Sequence, residues 1–379
     1  MSFFNPVHVT NRPGARSALL EAVDNVEVLV ICSVQMINRI KLDNVLNGFI
    51  DLPNLQFEHG FGSNPSLTDM SEIAKKYSSK KIDLVLGIGG GSAMDVAKIV
   101  SVAIPAMSNE IHLSGLLDDV SLFSRFEALD CIQVATTAGT GSEVTPFATV
   151  WDYDQKIKKS LSHPSMFAKQ AIVDSEFLYN VPLDIALSTG LDALNQALES
   201  LWNVNANEIT RSLAVKSVVN SLNSLLFLDE LKANQAIAKN MASASLLAGL
   251  SISHTRTAIC HSISYPLTLA FGLPHGLACG FSMLEVYNFN AAHIKDDIVT
   301  IEQQLNGKKI PEIIDAIYEK YEFYQLVRRH VQYIDNVLEL LPEMVTPGRA
   351  DNNIRKFNQL ELENIVRSSC SRASLKFLK

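Results

Sequence analysis

The sequence predicts two domains, an α/β domain built on a parallel sheet and an all-helical domain after it. Up to residue 174, short apolar runs typical of buried strands alternate with segments of helical periodicity. This alternation favours a parallel sheet that is covered on both faces. From residue 182 onward the periodicity is almost entirely helical, and the break Asn180-Val181-Pro182 separates the two patterns. We therefore expect an α/β dinucleotide-binding domain over 1–180 and a helical metal and substrate domain over 181–379.

The elements of both domains follow from periodicity and from turn residues. Apolar runs rich in β-branched residues predict strands, at 26–32, 55–58, 83–88, 131–136 and 170–174. Two further segments are predicted to pair as a hairpin, namely 146–151 and 157–162. Helical spacing predicts the helices, at 36–49, 68–78 with Thr68 as its N-cap, 92–103, 191–201, 213–226, 236–250 and 310–341. The polar segment 343–355 is expected to be a surface loop.

The composition is that of a globular protein and excludes several classes of function. The 379 residues are 47% hydrophobic and 19% charged, which suffices for a sizeable core. A formal net charge of -8 without a Lys/Arg-rich run argues against nucleic acid or an anionic membrane as the main partner. Five scattered cysteines indicate a reducing compartment rather than a disulfide framework. Neither a leader segment nor a membrane-spanning stretch is recognised, so we expect a cytoplasmic protein.

Three consecutive glycines follow an apolar strand and precede a helix. Gly89, Gly90 and Gly91 allow the backbone to approach a ligand closely. Ser92 opens the helix, whose free N–H groups suit a pyrophosphate, and Ser92 and Asp95 have the spacing of a capping box. Because the spacing is not G-x-G-x-x-G, a tight turn without a ligand is an equal alternative for this segment alone.

A second polar loop, TTAGTGSE at 136–143, follows the next strong strand. Its hydroxyl groups and glycines can hold a phosphate, a ribose or the nicotinamide amide. Taken alone, the segment is more typical of a turn. Since both loops leave the carboxyl ends of strands in a parallel sheet, a nucleotide site at that edge is the favoured interpretation.

A carboxylate and two imidazoles form a candidate metal site in the second domain. Asp192 and Gln196 are four residues apart in a helix and therefore share a face. His261 lies in an apolar helical stretch, and His275 follows Gly-Leu-Pro at the start of the next helix. Neutral imidazoles and a carboxylate suit Zn²⁺ or Fe²⁺. A hydrogen-bonded core histidine is the alternative on spacing alone.

Four ordered segments resemble the iron-containing alcohol dehydrogenase family over nearly the whole chain. They are GGGSAMDVAK at 89–98, TTAGTGSE at 136–143, the helix with Asp192, and His261 followed by Pro-His-Gly at 274–276. The resemblance implies a nucleotide-binding α/β domain, a helical domain, an active site in the cleft, and a homodimer. It also implies NAD(H) or NADP(H) as the cofactor and a divalent metal, Fe²⁺ or Zn²⁺.

The resemblance assigns a role to individual residues. For the pyrophosphate it implies Gly89, Gly90, Gly91 and Ser92. For the ribose and nicotinamide it implies Thr136, Thr137 and Ser142, and it places Asp95 and Lys98 at the cofactor cleft. For the metal it implies Asp192, Gln196, His261 and His275.

Three positions depart from the family pattern. Gln196 stands where the family usually has a histidine, and an amide oxygen matches an imidazole-rich site poorly. The metal then binds loosely, through a water, or not at all. Tyr265 stands where the family often has a second helical histidine, and it either donates a proton or packs beside Pro266. Ser33 replaces an aspartate that many NAD-preferring relatives use to bind the adenosine ribose, so a 2′-phosphate is not repelled there.

The closest resemblance within the family is to phosphonoacetaldehyde reductases. It rests on ALESLWNVNAN at 197–207 and HSISYPLTLAFGLPHGLACGF at 261–281. The resemblance implies a substrate with a dianionic head, for which Arg256 is the candidate cation and Lys158 and Lys159 are weaker ones. A solvated surface charge is the alternative for each.

The implied activity is hydride transfer between the nicotinamide and a small aldehyde or alcohol, with the metal polarising the carbonyl. The expected catalytic residues are Asp192, His261, His275 and Tyr265. Three alternatives stay open: a lyase resembling dehydroquinate synthase, a metal-free reductase, and a cofactor-binding relative without catalysis. A lyase regenerates its NAD in each cycle, so net consumption of reduced cofactor separates it from a reductase.

Overall fold

The computed structural model describes residues 2–40, 48–155, 157–345 and 349–377. The chain forms two compact units. One spans Phe4–Val181, and the other spans Pro182–Lys379 together with Met1–Phe3. The first is an α/β unit, and the described part of the second is built from helices and short 3₁₀ turns. Among the described helices, none is both long and apolar enough to cross a lipid bilayer.

A six-stranded parallel sheet forms the centre of the first unit, in the order β1-β8-β5-β4-β2-β3. A separate antiparallel hairpin joins β6 to β7. The strands are β1 (His8–Asn11), β2 (Val28–Ile31), β3 (Leu55–Glu58), β4 (Leu84–Gly89), β5 (Asp130–Ala135), β6 (Phe147–Asp152), β7 (Ile157–Ser162) and β8 (Gln170–Val173). The predicted α/β class and the predicted hairpin are confirmed.

Side chains of β2 show why the sheet is covered on both faces. Leu29 and Ile31 pack into one hydrophobic cluster, whereas Val28 and Val30 pack into the cluster on the opposite face. All four residues are fully buried, as expected for a strand with helices on both sides. The helices of this unit are α1 (Ala18–Ala22), α2 (Val34–Ile40), α3 (Leu67–Tyr77), α4 (Gly91–Ser108) and α5 (Leu113–Asp118).

The carboxyl ends of β4 and β5 lie side by side, because Gly89 pairs in register with Ala135. The glycine turn and the loop that begins at Thr136 therefore leave the sheet at neighbouring points. The chain order reverses between β2 and β4, and such a switch point is where open α/β sheets bind ligands.

The second unit is a set of packed helices. They are α6 (Leu183–Leu201), α7 (Glu208–Leu225), α8 (Gln235–Thr255), α9 (Ile259–Phe271), α10 (His275–Asn290), α11 (Lys295–Gln304), α12 (Ile310–Lys320), α13 (Phe323–Arg328), α14 (Asn336–Glu339) and α15 (Gln359–Phe377).

Several local predictions are wrong or incomplete. The cap of α3 is Ser66, which forms a capping box with Asp69, and not Thr68. The single helix predicted over 310–341 is broken, because Glu322 adopts a left-handed conformation after α12. Strand β1 was missed, since an edge strand with a partly exposed HVTN sequence carries little apolar signal.

Two predictions fall partly on positions that are not described. For the helix predicted over 36–49, α2 accounts for the first part, and 41–47 lie outside the described residues. For the loop predicted over 343–355, 346–348 lie outside them. The rest of that loop is partly interior, because Met344, Ala350 and Asn353 are buried.

Candidate functional site

The glycine turn presents the start of α4 without a side-chain cap. Gly90 is the N-cap residue, so the N-cap position has no side chain that accepts a hydrogen bond from the first turn. Ser92 Oγ instead donates to the carbonyl of Ser63, and Asp95 accepts from Ser142 Oγ at 2.5 Å and Thr149 N at 2.8 Å. The predicted Ser92–Asp95 capping box is therefore wrong. The uncapped N–H groups of this turn are donors suited to an anionic ligand.

The second loop packs directly on the glycine turn. A Cβ atom on Gly91 would lie 2.5 Å from Thr140 Cγ2, and one on Gly90 would lie 3.0 Å from Thr137 Oγ1. The first of these separations is too short for any side chain. Glycine at position 91 thus lets the two polar loops meet without displacing the side chain of Thr140.

Arg39 was not found by sequence reasoning. Its Nη2 atom donates to Thr136 O at 3.1 Å and to Thr136 Oγ1 at 2.9 Å. Its Nη1 atom is buried and has no hydrogen-bond partner among the described residues. A half-buried cation with a spare donor next to Thr136, whose N–H donates to Gly89 O, fits a dinucleotide phosphate. The only available signal was an arginine in the helix after the first long strand.

Lys98 is fully buried and holds the second loop in place. Its ammonium group donates to Ser142 O at 2.9 Å and to Thr145 O at 3.3 Å, and Asp95 lies 3.6 Å away. Burial lowers the pKa of Lys98. Contrary to the prediction, the ammonium group is not accessible to a cofactor. Ser33, the other cofactor candidate, caps α2 by accepting a hydrogen bond from Met36 N at 3.1 Å.

Three helices of the second unit bring four potential metal ligands together. Asp192 lies in the middle of α6, His261 near the start of α9, and His275 and Cys279 one turn apart at the start of α10. The approach of α10 to α6 requires Gly276, because a Cβ atom there would lie 1.7 Å from Ser188 O.

The donor atoms of this cluster all lie within 4.8 Å of one another. His261 Nε2 is 3.4 Å and His275 Nε2 4.0 Å from Asp192 Oδ1, and Cys279 Sγ is 3.8 Å from His275 Nε2. The side chains of Asp192 and His261 are almost fully buried, whereas that of His275 is 30% exposed. A carboxylate, two imidazoles and a thiol match the ligand chemistry of a divalent metal, with access on the side of His275.

Cys279 supplies the fourth donor among the histidine, cysteine and acidic residues of the cluster. Gln196 Nε2 donates to Asp192 Oδ1 at 3.0 Å and so orients that carboxylate. Gln196 Oε1 is buried and has no partner among the described residues. Gln196 as a metal ligand through this oxygen therefore stays a prediction. Cys279 was missed because the cysteines were considered only as indicators of the redox compartment.

Glu199 orients His261 through Nδ1, the ring nitrogen that does not face Asp192. It accepts hydrogen bonds from His261 Nδ1 at 2.7 Å and from the backbone N–H groups of Ala258 at 2.7 Å, Cys260 at 2.6 Å and His261 at 3.2 Å. A carboxylate at Nδ1 keeps the proton on that nitrogen and leaves Nε2 as a metal ligand. Glu199 was also missed, although Asp192, Gln196 and Glu199 recur at helical spacing.

The titration behaviour of the cluster reflects its mutual contacts. Burial alone would raise the pKa of Asp192 and lower that of His261, but their contacts reverse both shifts. Burial would likewise raise the pKa of Cys279, yet His261 and His275 lower it to about 7. A thiol that ionises this readily binds a metal as thiolate.

Tyr265 and two arginines adjoin the cluster. The Tyr265 ring is stacked on His275 with 5.9 Å between centroids and 8° between planes, so it does more than pack beside Pro266. The guanidinium carbon of Arg349 lies 4.5 Å from the centroid of the Tyr265 ring. Burial, and then the charge of Arg256, lower the pKa of Arg349 to about 10. Arg256 and Arg349 are therefore close enough to repel each other.

The two weaker cation candidates lie on strand β7 of the first unit. Lys159 Nζ is 3.8 Å from Asp152 and 4.0 Å from Asp118. Lys158 Nζ lies over the ring of Trp151 at 5.5 Å.

Family models match both units. One, described as iron-containing alcohol dehydrogenase, matches residues 6–175, and another, described as the C-terminal part of the Fe-containing alcohol dehydrogenase family, matches residues 186–367. The chain is 30% identical to the 1-propanol dehydrogenase PduQ of Salmonella typhimurium over 72% of this chain and 70% of PduQ. It is 31% identical to the phosphonoacetaldehyde reductase of Streptomyces viridochromogenes over 59% of this chain and 57% of that protein.

The aligned stretches span about three fifths of the length of several matched alcohol dehydrogenases. Among solved structures, the fold matches the sulfoacetaldehyde reductase from Bifidobacterium kashiwanohense, which was crystallised in complex with NAD+. That match has a TM-score of 0.81 and 22% identity, and it covers 98% of each chain.

Proposed function

Because the chain belongs to the iron-containing alcohol dehydrogenase family, we propose that it is a nicotinamide-dependent reductase of small aldehydes that uses a divalent metal. The observation that carries this proposal is the cluster of Asp192, His261, His275 and Cys279, whose donor atoms lie within 4.8 Å of one another. A metal-free reductase has no need of such a donor set on three helices. The cluster therefore favours a metal-dependent reaction over that alternative.

The first unit offers a binding site for the diphosphate of NAD(H) or NADP(H). Gly89, Gly90 and Gly91 leave the uncapped start of α4 open to an anion, and the spare Nη1 donor of Arg39 lies beside the same turn. Of the threonines in the second loop, Thr137 and Thr140 are partly exposed, and Thr137 is available to the cofactor. The cofactor supplies the hydride, and these residues bind and orient it.

The four donors of the second unit would hold a divalent cation. When bound there, it would supply Lewis-acid polarisation of the aldehyde's carbonyl oxygen. Glu199 fixes the tautomer of His261, and Gln196 orients Asp192. Thiolate ligands favour Zn²⁺ over Fe²⁺ in such a site, so we propose Zn²⁺ as the metal that binds more tightly.

Tyr265 is the proposed proton donor for the product alcohol. Its ring lies parallel to that of His275, which is the most exposed member of the cluster. A phenol is able to donate a proton to a nascent alkoxide. The Tyr265→Phe variant keeps the stacking and removes the proton, so it should lower kcat by about 10²- to 10⁴-fold while metal content is unchanged.

The proposal is tested by following the absorbance of reduced nicotinamide with a panel of small aldehydes. We expect net oxidation of NADH or NADPH, loss of activity on chelation, and recovery with Zn²⁺ or Fe²⁺. Cofactor binding without turnover under all metal conditions would favour the non-catalytic alternative. Product formation without net loss of reduced cofactor would favour the lyase.

The finer assignments are part of the same proposal. Ser33 carries no charge that would repel a 2′-phosphate, so we propose that NADPH is accepted as well as NADH. We also propose a homodimer in the cytoplasm. Light scattering of the purified protein tests the dimer, and parallel titrations with NADH and NADPH test the cofactor preference.

A further inference from the structure

The ring of Tyr265 connects an arginine to the cluster of potential metal ligands. Arg349 packs on this ring, and the ring is stacked on His275. The guanidinium carbon of Arg349 lies 4.5 Å from the Tyr265 centroid, and Tyr265 lies parallel to His275 at 5.9 Å. Tyr265 is 7% exposed. Arg349 therefore packs on the same tyrosine that packs on His275, the partly exposed member of the cluster.

Arg256 is held next to this stack in a backbone conformation that residues other than glycine rarely adopt. Its φ is 63° and its ψ is 176°, a region that costs about 1–3 kcal/mol for other residues. Two hydrogen bonds to its carbonyl oxygen maintain it, from Asn203 Nδ2 at 3.2 Å and from Thr255 Oγ1 at 3.1 Å. Strain of this kind is concentrated at functional sites, where it presents a side chain in a fixed direction.

The two arginines carry like charges that repel each other in a partly buried environment. Glu199 is the carboxylate that attracts Arg349, but its oxygen atoms already accept hydrogen bonds from three backbone N–H groups and from His261 Nδ1. An anion that contacts both guanidinium groups would replace this repulsion by two attractive contacts.

We propose that Arg256 and Arg349 bind the tetrahedral oxyanion head group, a phosphonate or a sulfonate, of a short-chain aldehyde whose carbonyl group reaches the metal cluster. The part of this inference that concerns the aldehyde rests on the proposed function. The binding of the anion does not depend on it. A tetrahedral oxyanion presents three oxygen atoms, which two planar guanidinium groups can share through paired N–H donors.

The first arm of the test compares matched aldehydes. Phosphonoacetaldehyde, sulfoacetaldehyde and the neutral propanal are assayed with the wild type and with the variants Arg256→Met and Arg349→Met. We expect kcat/KM for the preferred anionic aldehyde to fall by about 10²- to 10³-fold in each variant. Propanal has no head group, so its kcat/KM should fall by less, and the ratio of kcat/KM for the anionic aldehyde to kcat/KM for propanal should fall by at least about 10-fold in each variant. The exposed Arg329 of the same unit provides the control Arg329→Met, which should change neither value.

The second arm measures anion binding without turnover. Calorimetry with methylphosphonate and methanesulfonate should show one site in the wild-type protein, and the heat should disappear in Arg256→Met and Arg349→Met but not in Arg329→Met. The anion that binds with the higher affinity identifies the preferred head group. The conservative variant Arg349→Lys should recover part of the affinity, because it keeps the charge and loses the paired donors.

The outcomes separate this inference from the proposed function. If the anions bind through both arginines and no aldehyde is reduced, the oxyanion site stands and the reductase proposal fails. If propanal and the anionic aldehydes are reduced with equal kcat/KM, and neither variant changes the ratio of these kcat/KM values, the proposed reductase function is supported and the oxyanion site is refuted. Absence of anion binding to the wild-type protein also refutes the site.

Discussion

Replacing Glu199 with glutamine should weaken metal binding through the tautomer of His261. In the wild-type protein, Glu199 Oε2 accepts from His261 Nδ1 at 2.7 Å, so the proton is on Nδ1 and the lone pair is on Nε2. In Glu199→Gln the amide nitrogen takes the place of one oxygen. If it faces Nδ1, the imidazole must accept a hydrogen bond there and carry its proton on Nε2, where it blocks the metal.

The opposite orientation of the amide is also unfavourable. Glu199 Oε1 accepts from Cys260 N at 2.6 Å and from His261 N at 3.2 Å. An amide nitrogen at that place would face two N–H donors. Loss of a carboxylate partner behind a ligating histidine typically lowers metal affinity by about 10- to 100-fold. We therefore expect a loss of about 1.4–2.8 kcal/mol in metal binding free energy, at about 1.4 kcal/mol per tenfold change.

The assay is a competition between the protein and a chromophoric chelator for Zn²⁺, with the wild type, Glu199→Gln and the control Glu312→Gln. Glu312 is exposed in the first turn of α12 and should leave the metal affinity unchanged. Thermal unfolding of the metal-free proteins serves as a check that all three fold. A Glu199→Gln protein that folds and binds Zn²⁺ with wild-type affinity would refute the tautomer argument.

Three further predictions concern the first unit. Lys98→Met should lower the free energy of unfolding of this unit in urea by about 3–5 kcal/mol, because the carbonyl groups of Ser142 and Thr145 and the carboxylate of Asp95 lose their buried cation; an unchanged midpoint would contradict this role. Gly91→Ala should lower the free energy of unfolding by about 1–3 kcal/mol, because the new Cβ contacts Thr140 Cγ2. The double variant with Thr140→Ser should recover part of that loss. Burial would raise the pKa of Glu58, but hydrogen bonds from Lys76 and from two backbone N–H groups lower it. The ionised Glu58 therefore contributes its full stabilisation above the unfolded pKa, and this stabilisation is lost as pH falls through the folded pKa. Between about pH 6 and about pH 2, the free energy of unfolding measured in urea should therefore fall less in Lys76→Met than in the wild type. Identical pH dependence of this free energy in the two proteins would contradict the assignment.

The strands of the first unit were accessible from sequence because burial on both faces leaves a direct compositional signal. Val28 to Ile31 are all apolar and all buried. The missed strand at His8–Asn11 lies at the edge of the sheet, where half-exposed residues remove that signal. The break after Lys320 depends on the backbone conformation of Glu322, which periodicity does not encode.

The candidate site was only partly predictable for a different reason. Asp192, His261 and His275 were found by residue type, by spacing and by resemblance. Cys279 and Glu199 acquire their roles from contacts between helices, with His275 and with the start of α9 respectively. Arg349 lies 84 residues beyond Tyr265 in the chain and meets it only in the folded unit. No sequence pattern of local range contains such contacts.

X-ray absorption at the metal edge of the Zn²⁺- or Co²⁺-loaded protein tests the central claim, which is the identity of the four ligands. The account predicts one sulfur neighbour, at about 2.3 Å for Zn²⁺, together with nitrogen and oxygen neighbours at about 2.0–2.2 Å. The sulfur contribution should disappear in Cys279→Ser and persist in Gln196→Ala. A first shell without sulfur in the wild-type protein would contradict the account.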